Sequence, residues 1–385
     1  MKLLMAVSAI DLSEKPQATK AWWFLFRALS EKGHELVVLP FLGRPVESPW
    51  WKSLDNPSRL ISSLLYSGWR GRSKSAHTKA FYAKHYKRII FLPRFITSRR
   101  WRESIDKAVA KEGPFDVALF FSVPLNLLSD IPAHLRERFG VPSVYYEADM
   151  PSILPAYGGI HFSYYYGADL SQFDGFLSGS EGVEETIVKM GARNVSTLHW
   201  AADPKVLSPV STEKDTDVFF TGGTSAFREE WMDRMIGEPS GEMPDKIFAM
   251  SGLMKEHYKN VKSLGFLGFN SWKRQICQSR ICLNISRAPH ASVRGTSSTR
   301  IFELASLGAC IVSSPHAGLE QWFEPEKEII ILDENDHPGD VYKRLLDSRQ
   351  LMLELGSRAR ARVLAEHTYD HRAEQLLDYL APVIR

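Results

Sequence analysis

Cysteine is scarce in this chain, and the three cysteines form no recognisable pattern. Cys277, Cys282 and Cys310 are an odd number and include no C-x-x-C pair. Such a set indicates neither a disulfide framework nor a zinc site. Long apolar runs are also missing, since none approaches the ~20 residues that a membrane-spanning helix needs.

The opening residues, MKLLMAVSAI, are too short for the apolar region of a signal peptide and predict a first β-strand instead. We therefore expect a cytoplasmic protein. Peripheral attachment at the inner face of a membrane is the alternative, because one stretch of the chain is basic and contains no acidic residue.

Acidic residues are absent from positions 56–102, although the net charge of the whole chain is only +3. Residues 1–200 hold 25 Lys and Arg against 19 Asp and Glu, whereas residues 201–385 hold 23 against 26. Aromatic side chains are interleaved with the basic ones, which suits a polyanion or an anionic membrane surface. The alternative is a solvated helical face whose rings turn into the core. The candidate anion-binding residues are Arg70, Arg72, Lys74, Lys84, Lys87, Arg88, Arg99 and Arg100.

The remaining composition predicts an ordinary globular protein of two domains. The chain has 385 residues, of which 44% are hydrophobic and 24% charged, and this excludes a mainly disordered protein. Apolar strands alternate with amphipathic helices in both halves, so we predict an α/β protein with two Rossmann-like, doubly wound domains that face each other across a cleft.

We predict a first domain over residues 1–208 that carries a basic insertion at 56–102. A polar linker follows at 209–216. The second domain covers 217–366, and a C-terminal helix over 367–385 crosses back to the first domain. The basic insertion interrupts the alternation, which resumes with a helix predicted around 102–111. In the second domain the predictions include helices at 227–236 and 299–307 and strands at 263–267 and 310–313.

The segment 284–320 carries the clearest candidate site. Ser297, Ser298 and Thr299 lie where a predicted helix begins, so their hydroxyls and free N–H groups suit a diphosphate. Arg300 supplies charge in the first turn, and Glu303 lies on the same side and suits a ribose diol. The alternative is that these are ordinary residues for a helix start.

Further residues join this candidate site. Arg228, after the Gly222–Gly223 turn, is a second phosphate contact, and Phe269 and Asn284 are further candidates for the same nucleotide site. The histidines His199, His290 and His316 are weaker polar candidates, since lone histidines are more often structural.

Six sequence segments carry a family resemblance. Three of them, RIFELASLGACIV (300–312), GLEQWFEPEKEIII (318–331) and EHTYDHRAEQLL (366–377), lie in the C-terminal half. The other three are EKGHELVVLP (31–40), EADMP (147–151) and GARNVSTLHWAADP (191–204). In their order along the chain, these segments resemble those of group 1 (family 4-like) glycosyltransferases of the GT-B fold, and most closely the spore-maturation, CgeB-like branch.

The resemblance implies a hexosyl- or pentosyltransferase that uses a nucleotide-diphosphate sugar, in the first place a UDP-sugar, and retains the anomeric configuration. It implies no tightly bound cofactor, and we expect Arg300, Arg228 and the helix start to neutralise the leaving diphosphate without a metal. Glu303 matches the ribose-binding glutamate of the family. The first glutamate of the family's Glu-x7-Glu pair is replaced by Gly295.

Asp149 in the EADMP segment is the candidate for positioning or deprotonating the acceptor hydroxyl, and a turn residue before Pro151 is the alternative. Asp215 and Asp217 form a D-x-D pattern at the linker, which we reject as a metal site. The resemblance implies that the first domain, 1–208, binds the acceptor. Because the basic insertion lies there, we expect the acceptor to be anionic, either a modified nucleic acid or a membrane- or lipid-linked molecule. Two other functions stay open, a GT-B-fold sugar-nucleotide epimerase and a non-catalytic sugar-nucleotide or nucleic-acid binding module.

Overall fold

The computed structural model describes residues 1–11, 21–62, 76–157, 165, 167–223 and 227–385, with the side chains of 76–84, 86–90 and 155 left out. It divides into two compact units. The first holds the described residues within 1–14, 25–198 and 373–385, and the second holds those within 15–24 and 199–372. The domain boundaries expected at 208 and 217 stay a prediction.

The first unit contains a parallel sheet of seven strands. Five of the strands are mostly buried along their length, as expected for parallel strands that are covered on both faces. The strand order is β3-β2-β1-β4-β5-β6-β7. This order is doubly wound, because successive strands are added towards one edge of the sheet from β1 to β3 and towards the other edge from β4 onward. The strands are β1 (Lys2–Ala9), β2 (Glu35–Leu42), β3 (Lys52–Ser53), β4 (Val117–Phe121), β5 (Ser143–Glu147), β6 (Gly175–Ser178) and β7 (Val195–Thr197).

The second unit contains a parallel sheet of six strands in the order β10-β9-β8-β11-β12-β13, with its reversal between β8 and β11. Its core is built from strand residues such as Val218, Phe220, Ile281 and Val312, all at most 2% exposed. The strands are β8 (Thr216–Thr221), β9 (Phe248–Ser251), β10 (Val261–Ser263), β11 (Ser279–Asn284), β12 (Cys310–Ser313) and β13 (Ile330–Ile331). The predicted class, α/β with two Rossmann-like doubly wound sheets, is confirmed.

Helices flank both sheets, and the first and last of them contribute residues to both units. Those from the first half are α1 (Ala21–Glu31), α2 (Ala76–Glu112), α3 (Leu125–Leu128), α4 (Ile131–Phe139) and α5 (Glu184–Lys189). Those from the second half are α6 (Glu229–Met232), α7 (Glu238–Glu242), α8 (Phe269–Gln278), α9 (Ala288–Ala291), α10 (Thr299–Ser306), α11 (Pro338–Leu346), α12 (Arg349–Glu366) and α13 (Tyr369–Ile384).

Helix α2 is much longer than the helix predicted around 102–111, because its C-terminal half has a buried face at helical spacing. Thr97, Trp101, Ile105 and Ala108 are all at most 2% exposed, and Trp101 Nε1 donates a hydrogen bond to Ser58 Oγ at 3.1 Å. Arg99, Arg100 and Arg102 are exposed beside this buried face, so their charges do not interrupt the helix.

Two other local predictions are wrong by a few residues. The strand predicted at 263–267 is β10, Val261–Ser263, because the chain turns at Gly265, whose φ is 60°. The helix predicted at 227–236 begins at Glu229 and continues as a π-helical turn over Asp233–Gly237 before α7. The later start of this helix places the candidate residue Arg228 at its N-cap instead of inside it.

Candidate functional site

The candidate donor site lies at the carboxyl ends of β8 and β11, where the strand order in the sheet of the second unit reverses. Ligands of open α/β sheets bind at this position, because the loops on its two sides diverge there. Gly222 and Gly223 directly follow β8, and Asn284 is the last residue of β11. Three of the predicted site residues therefore stand at the point that the topology favours.

The loop after β8 is tightly packed against the loop after β9. Gly252 has a φ of 119°, and a Cβ there would lie 2.2 Å from the carbonyl oxygen of Gly222. A Cβ on Gly223, by contrast, would meet no atom of a described residue within 4 Å. Close backbone packing therefore fixes Gly222 and leaves more room at Gly223 among the described residues.

Arg300 reaches from helix α10 to the end of β8. Its Nη1 donates a hydrogen bond to the carbonyl oxygen of Thr221, the last residue of β8. The guanidinium also lies 6.0 Å from the centre of the Trp272 ring. The sequence separation is large, so only the fold brings the cation to the glycine turn.

Glu303 forms an ion pair with Arg300 one turn along the same helix. The Oε2 atom of Glu303 lies 3.7 Å from Nε of Arg300, and the two side chains are 21% and 29% exposed. Burial raises the pKa of Glu303, while the charge of Arg300 opposes that rise. Burial likewise lowers the pKa of Arg300, and the Glu303 carboxylate acts in the opposite direction. The Arg300–Glu303 pair therefore places a cation and a carboxylate near the Gly222–Gly223 turn.

Aromatic side chains border the same cluster. Helix α8 begins at Phe269, whose ring centre is 5.9 Å from that of Trp272. Trp272 is only 8% exposed and lies against Arg300. Phe269 is therefore connected to Arg300 through a tryptophan that the sequence did not single out.

Arg228 connects the loops on either side of the reversal. Its Nε donates a hydrogen bond to the carbonyl oxygen of Ile285 at 3.0 Å, and the preceding Phe227 accepts one from Ala288 N at 2.7 Å. Asn284 Nδ2 in turn donates to Ser313 Oγ at 2.9 Å, at the end of β12. These contacts hold the three loops together.

The residues at the start of helix α10 divide into two kinds. Ser297 is buried, and its Oγ accepts a hydrogen bond from Trp200 N at 3.0 Å, so it stabilises the loop. Ser298 is the N-cap residue but makes no side-chain capping bond, and Thr299 begins the helix. The side chain of Ser298 therefore leaves the N–H groups of the first turn uncapped, as an anion site requires.

The candidate histidines are held by structural contacts. His316 Nδ1 lies 2.9 Å from Ser286 Oγ, and burial lowers the pKa of His316 to about 4. His290 Nε2 accepts from Arg287 at 2.8 Å. The ring of His199 packs edge-on against Trp322 at 5.1 Å. His316 is therefore neutral near pH 7.

Gly295, which stands where the family has its first glutamate, has a backbone that disfavours a side chain. Its φ is 63°, and its N–H donates to the carbonyl oxygen of Ala317 at 3.1 Å. A glutamate in this left-handed conformation would be strained. The departure from the family pattern is thus built into the loop.

Asp215 and Asp217 lie at the amino end of β8, opposite to the candidate site. Asp217 Oδ2 accepts from Ile247 N at 2.8 Å, and its Oδ1 lies 3.3 Å from Arg280 Nε. Across the part of the chain that the structure describes, no group of three or more His, Cys, Asp or Glu is arranged to hold a metal ion.

In the first unit, Asp149 lies just after β5, close to the buried carboxyl group of Glu147. No sequence signal singled out Glu147 as a site residue. Glu147 is 3% exposed and accepts hydrogen bonds from Tyr165 OH at 2.7 Å, Ser122 Oγ at 3.0 Å and Asp149 N at 3.1 Å. Burial raises the pKa of Glu147, although these donors oppose the rise. Glu147 therefore holds the backbone of Asp149.

Ser122 at the end of β4 has a φ of 46°, which is unusual for a residue other than glycine. Its Oγ donates to Glu147 and accepts from Ala148 N at 3.0 Å. A strained residue at the carboxyl end of a strand is typical of functional sites. No local sequence signal predicts this conformation.

Only part of the candidate anion patch lies among the described residues. Arg99 and Arg100 are exposed on helix α2, and Arg99 pairs with Glu103 at 3.0 Å. The backbones of Lys84, Lys87 and Arg88 belong to the same helix, whereas their side chains lie outside the described part. Arg70, Arg72 and Lys74 lie outside the described residues altogether.

The comparisons with known proteins point to one fold. The family model described as "Glycosyl transferase-like" matches residues 228–378, which include Arg228, Arg300 and Glu303. No curated protein sequence is similar enough to match the chain.

Solved structures resemble the chain over nearly its whole length. A sucrose-phosphate synthase from Thermosynechococcus elongatus has a TM-score of 0.64 at 13% identity and covers 100% of this chain and 99% of its own. Alr3699/HepE of Anabaena, solved with UDP-glucose, has a TM-score of 0.62 at 11% identity and covers 99% and 100%. AviGT4, a glycosyltransferase of avilamycin A biosynthesis, has a TM-score of 0.62 at 13% identity and covers 100% and 98%.

These likenesses define the class. The chain has the GT-B fold, and its residues 228–378 are similar to the family described as "Glycosyl transferase-like".

Proposed function

We propose that this protein is a glycosyltransferase that moves a hexose or pentose from a UDP-sugar to an acceptor hydroxyl with retention of configuration. The main observation in support is that Arg300, Glu303 and the Gly222–Gly223 turn lie together at the carboxyl end of β8. UDP and UDP-glucose in the HepE structures support a uridine nucleotide as the donor. The motifs at 300–312 and 366–377 favour the CgeB-like branch.

In the proposed reaction, the bond between the anomeric carbon and the diphosphate breaks, and the diphosphate leaves with the electron pair. Arg300, Arg228 and the N–H groups of the first turn of α10 stabilise that charge without a metal. The Glu303 carboxylate accepts hydrogen bonds from the ribose hydroxyls and thereby positions the nucleotide.

The acceptor oxygen forms the new bond to the same face of the anomeric carbon. Asp149 is the proposed residue that positions the acceptor hydroxyl and takes its proton. Glu147 acts through Asp149, because it accepts the Asp149 N–H and so fixes the loop after β5.

The test is turnover with a panel of UDP-, GDP-, ADP- and dTDP-sugars, with and without cell extract as a source of acceptor. We expect release of UDP from one UDP-sugar, loss of this release in Glu303→Ala, and little change in the matched control Glu256→Ala. Glu256 is exposed and has no described partner.

NMR of the product then reports the configuration of the new bond. Binding of UDP-sugars without turnover in any extract would contradict the proposal and favour a binding module. Conversion of the free sugar nucleotide to an isomer would instead establish an epimerase.

A further inference from the structure

Helix α2 exposes three large apolar side chains within five residues. Phe91 is 72% exposed, Leu92 62% and Phe95 60%. The other exposed large hydrophobic residues of the described part are isolated from one another in the sequence. Isolated ones need no explanation, whereas a cluster indicates a binding surface. We call Phe91, Leu92 and Phe95 the apolar wedge.

The wedge occupies one side of the helix and is joined there by cations. At 3.6 residues per turn, Phe91, Leu92 and Phe95 fall within an arc of about 100°, and Arg99 and Arg102 share that arc. The buried residues Trp101 and Ile105 lie on another side. The wedge therefore faces away from the core of its own unit.

A groove of about 660 Å³ runs along the wedge between helices α2 and α4. It is lined by the wedge phenylalanines, by four cations and by three carboxylates, namely Arg94, Arg99, Arg102 and Arg138 and Glu103, Asp106 and Asp130. Arg102 pairs with Asp130, and Arg99 pairs with Glu103 at 3.0 Å. Arg94 has no ion pair or hydrogen bond to a described residue. A cation is thus available to an external anion.

Positive charge extends along the helix on both sides of the wedge. From position 76 to 102 the sequence has no acidic residue. The basic residues of this span are Lys79, Lys84, Lys87, Arg88, Arg94, Arg99, Arg100 and Arg102. Near an anionic membrane each such residue contributes about 1 kcal/mol of attraction.

Three occupants fit a cationic surface to different degrees. A second copy of this chain would place like charges against each other across a twofold axis. Nucleic acid would engage the cations through its phosphates, but it gives no reason for Leu92 to be exposed beside two phenylalanines. An anionic bilayer satisfies both features, because interfacial helices combine an apolar face with Lys and Arg.

We propose that helix α2 docks this protein on an anionic lipid bilayer. The wedge enters the boundary between headgroups and acyl chains, and the basic residues around it bind headgroup phosphates. None of the described helices is long and apolar enough to span a membrane. The docking goes beyond sugar transfer and is independent of the donor site, so vesicle binding and turnover can fail separately.

The test is sedimentation with vesicles of phosphatidylcholine, with and without phosphatidylglycerol. We expect at least tenfold tighter binding to the anionic vesicles, weakening as salt rises. The triple variant Phe91→Ser, Leu92→Ser, Phe95→Ser should lose at least tenfold in affinity for them and keep its affinity for UDP.

The control is a triple variant that removes three scattered exposed side chains, Val188→Ser, Leu253→Ser and Leu353→Ser. These residues are 53%, 59% and 54% exposed. The control should bind vesicles as the unmodified protein does. Equal binding by the wedge variant, or no preference for phosphatidylglycerol, would overturn the proposal. Tighter binding to duplex DNA than to vesicles, unaffected by the wedge substitutions, would overturn it in favour of nucleic acid.

A second measurement reports insertion directly. The natural cysteines are buried, so an environment-sensitive dye attached to Leu92→Cys labels one position. Its emission should shift to the blue with anionic vesicles, whereas a dye at Leu253→Cys should not respond. Absence of a shift at position 92 in vesicle-bound protein would contradict insertion of the wedge.

Discussion

Replacing Glu147 with glutamine should change how the stability of the first unit depends on pH. The carboxyl group is buried, and its two oxygens receive four hydrogen bonds, including one from Tyr145 OH at 3.2 Å. Its pKa is raised by burial. A raised pKa in the folded state means that folding favours the protonated form.

The sign of the effect follows from this shift. Below the pKa of the unfolded chain, about 4.3, the carboxyl is protonated in both states and its contribution is fully present. As pH rises through the folded pKa, the native protein loses stability by at most about 1.4 kcal/mol per pH unit. The Glu147→Gln variant cannot lose a proton there, so its stability should not show this decline.

An amide resembles the protonated carboxyl but carries one additional N–H donor among groups that themselves donate. An unpaired buried donor costs about 1–3 kcal/mol. We therefore expect Glu147→Gln to be less stable by about 1–3 kcal/mol near pH 4, with a difference that shrinks as pH rises.

The assay is urea unfolding across this pH range, with hydrogen exchange of residues 143–147 reporting strand β5 itself. Glu137→Gln on the exposed side of helix α4 is the matched control and should leave the pH dependence unchanged. A difference between Glu147→Gln and the unmodified protein that stays constant with pH would refute the reasoning.

The other predictions concern the second unit. Gly252→Ala should lower the melting temperature strongly, since its Cβ would lie 2.2 Å from the Gly222 carbonyl oxygen. Gly223→Ala should leave the melting temperature nearly unchanged, and equal melting temperatures of the two variants would contradict the close packing of Gly252 against Gly222. Burial raises the pKa of Cys282 to about 12 and that of Cys310 likewise, so thiol reagents should label neither near pH 8 until the protein unfolds; rapid labelling of folded protein would disprove this. Arg300→Met should weaken UDP binding at least tenfold, as measured by titration calorimetry, and unchanged affinity would exclude a phosphate contact.

The alternation of apolar strands with amphipathic helices was sufficient to predict both sheets except for the two-residue strand β3, which has no apolar run. Strand β12 was predicted at its observed bounds, and helix α10 within one residue, because each combines strong periodicity with a clear start. The length of α2 was not predicted, since Trp101 and its buried neighbours lie among charged residues that obscure the apolar spacing.

The candidate site was predicted less completely than the fold. Arg300 and Glu303 could be singled out from their places in one helix, and the structure adds that Arg300 contacts Thr221. That contact joins positions far apart in the sequence and depends on the order of the strands. The role of Glu147 likewise depends on Tyr165 and on the φ of Ser122, neither of which has a local signal.

The interpretation of the basic stretch changed in a specific way. Sequence alone left open whether its rings turn inward or outward. Trp101 is buried, whereas Phe91 and Phe95 are exposed, so both alternatives hold for different residues of one helix. Which side of the helix meets the core decides this, and composition carries no such information.

The most direct test of the proposed donor site is the affinity for UDP, measured by titration calorimetry, of the unmodified protein, Glu303→Ala and Glu256→Ala. Hydrogen bonds to a charged group contribute about 1.5–3 kcal/mol, so Glu303→Ala should bind UDP about 10- to 150-fold more weakly. Its affinity for pyrophosphate, which has no ribose, should not fall, because the Arg300 cation remains after its carboxylate partner is removed. The affinity of Glu256→Ala for UDP should be unchanged. Undiminished UDP affinity in Glu303→Ala would contradict the assignment of this carboxylate to the ribose.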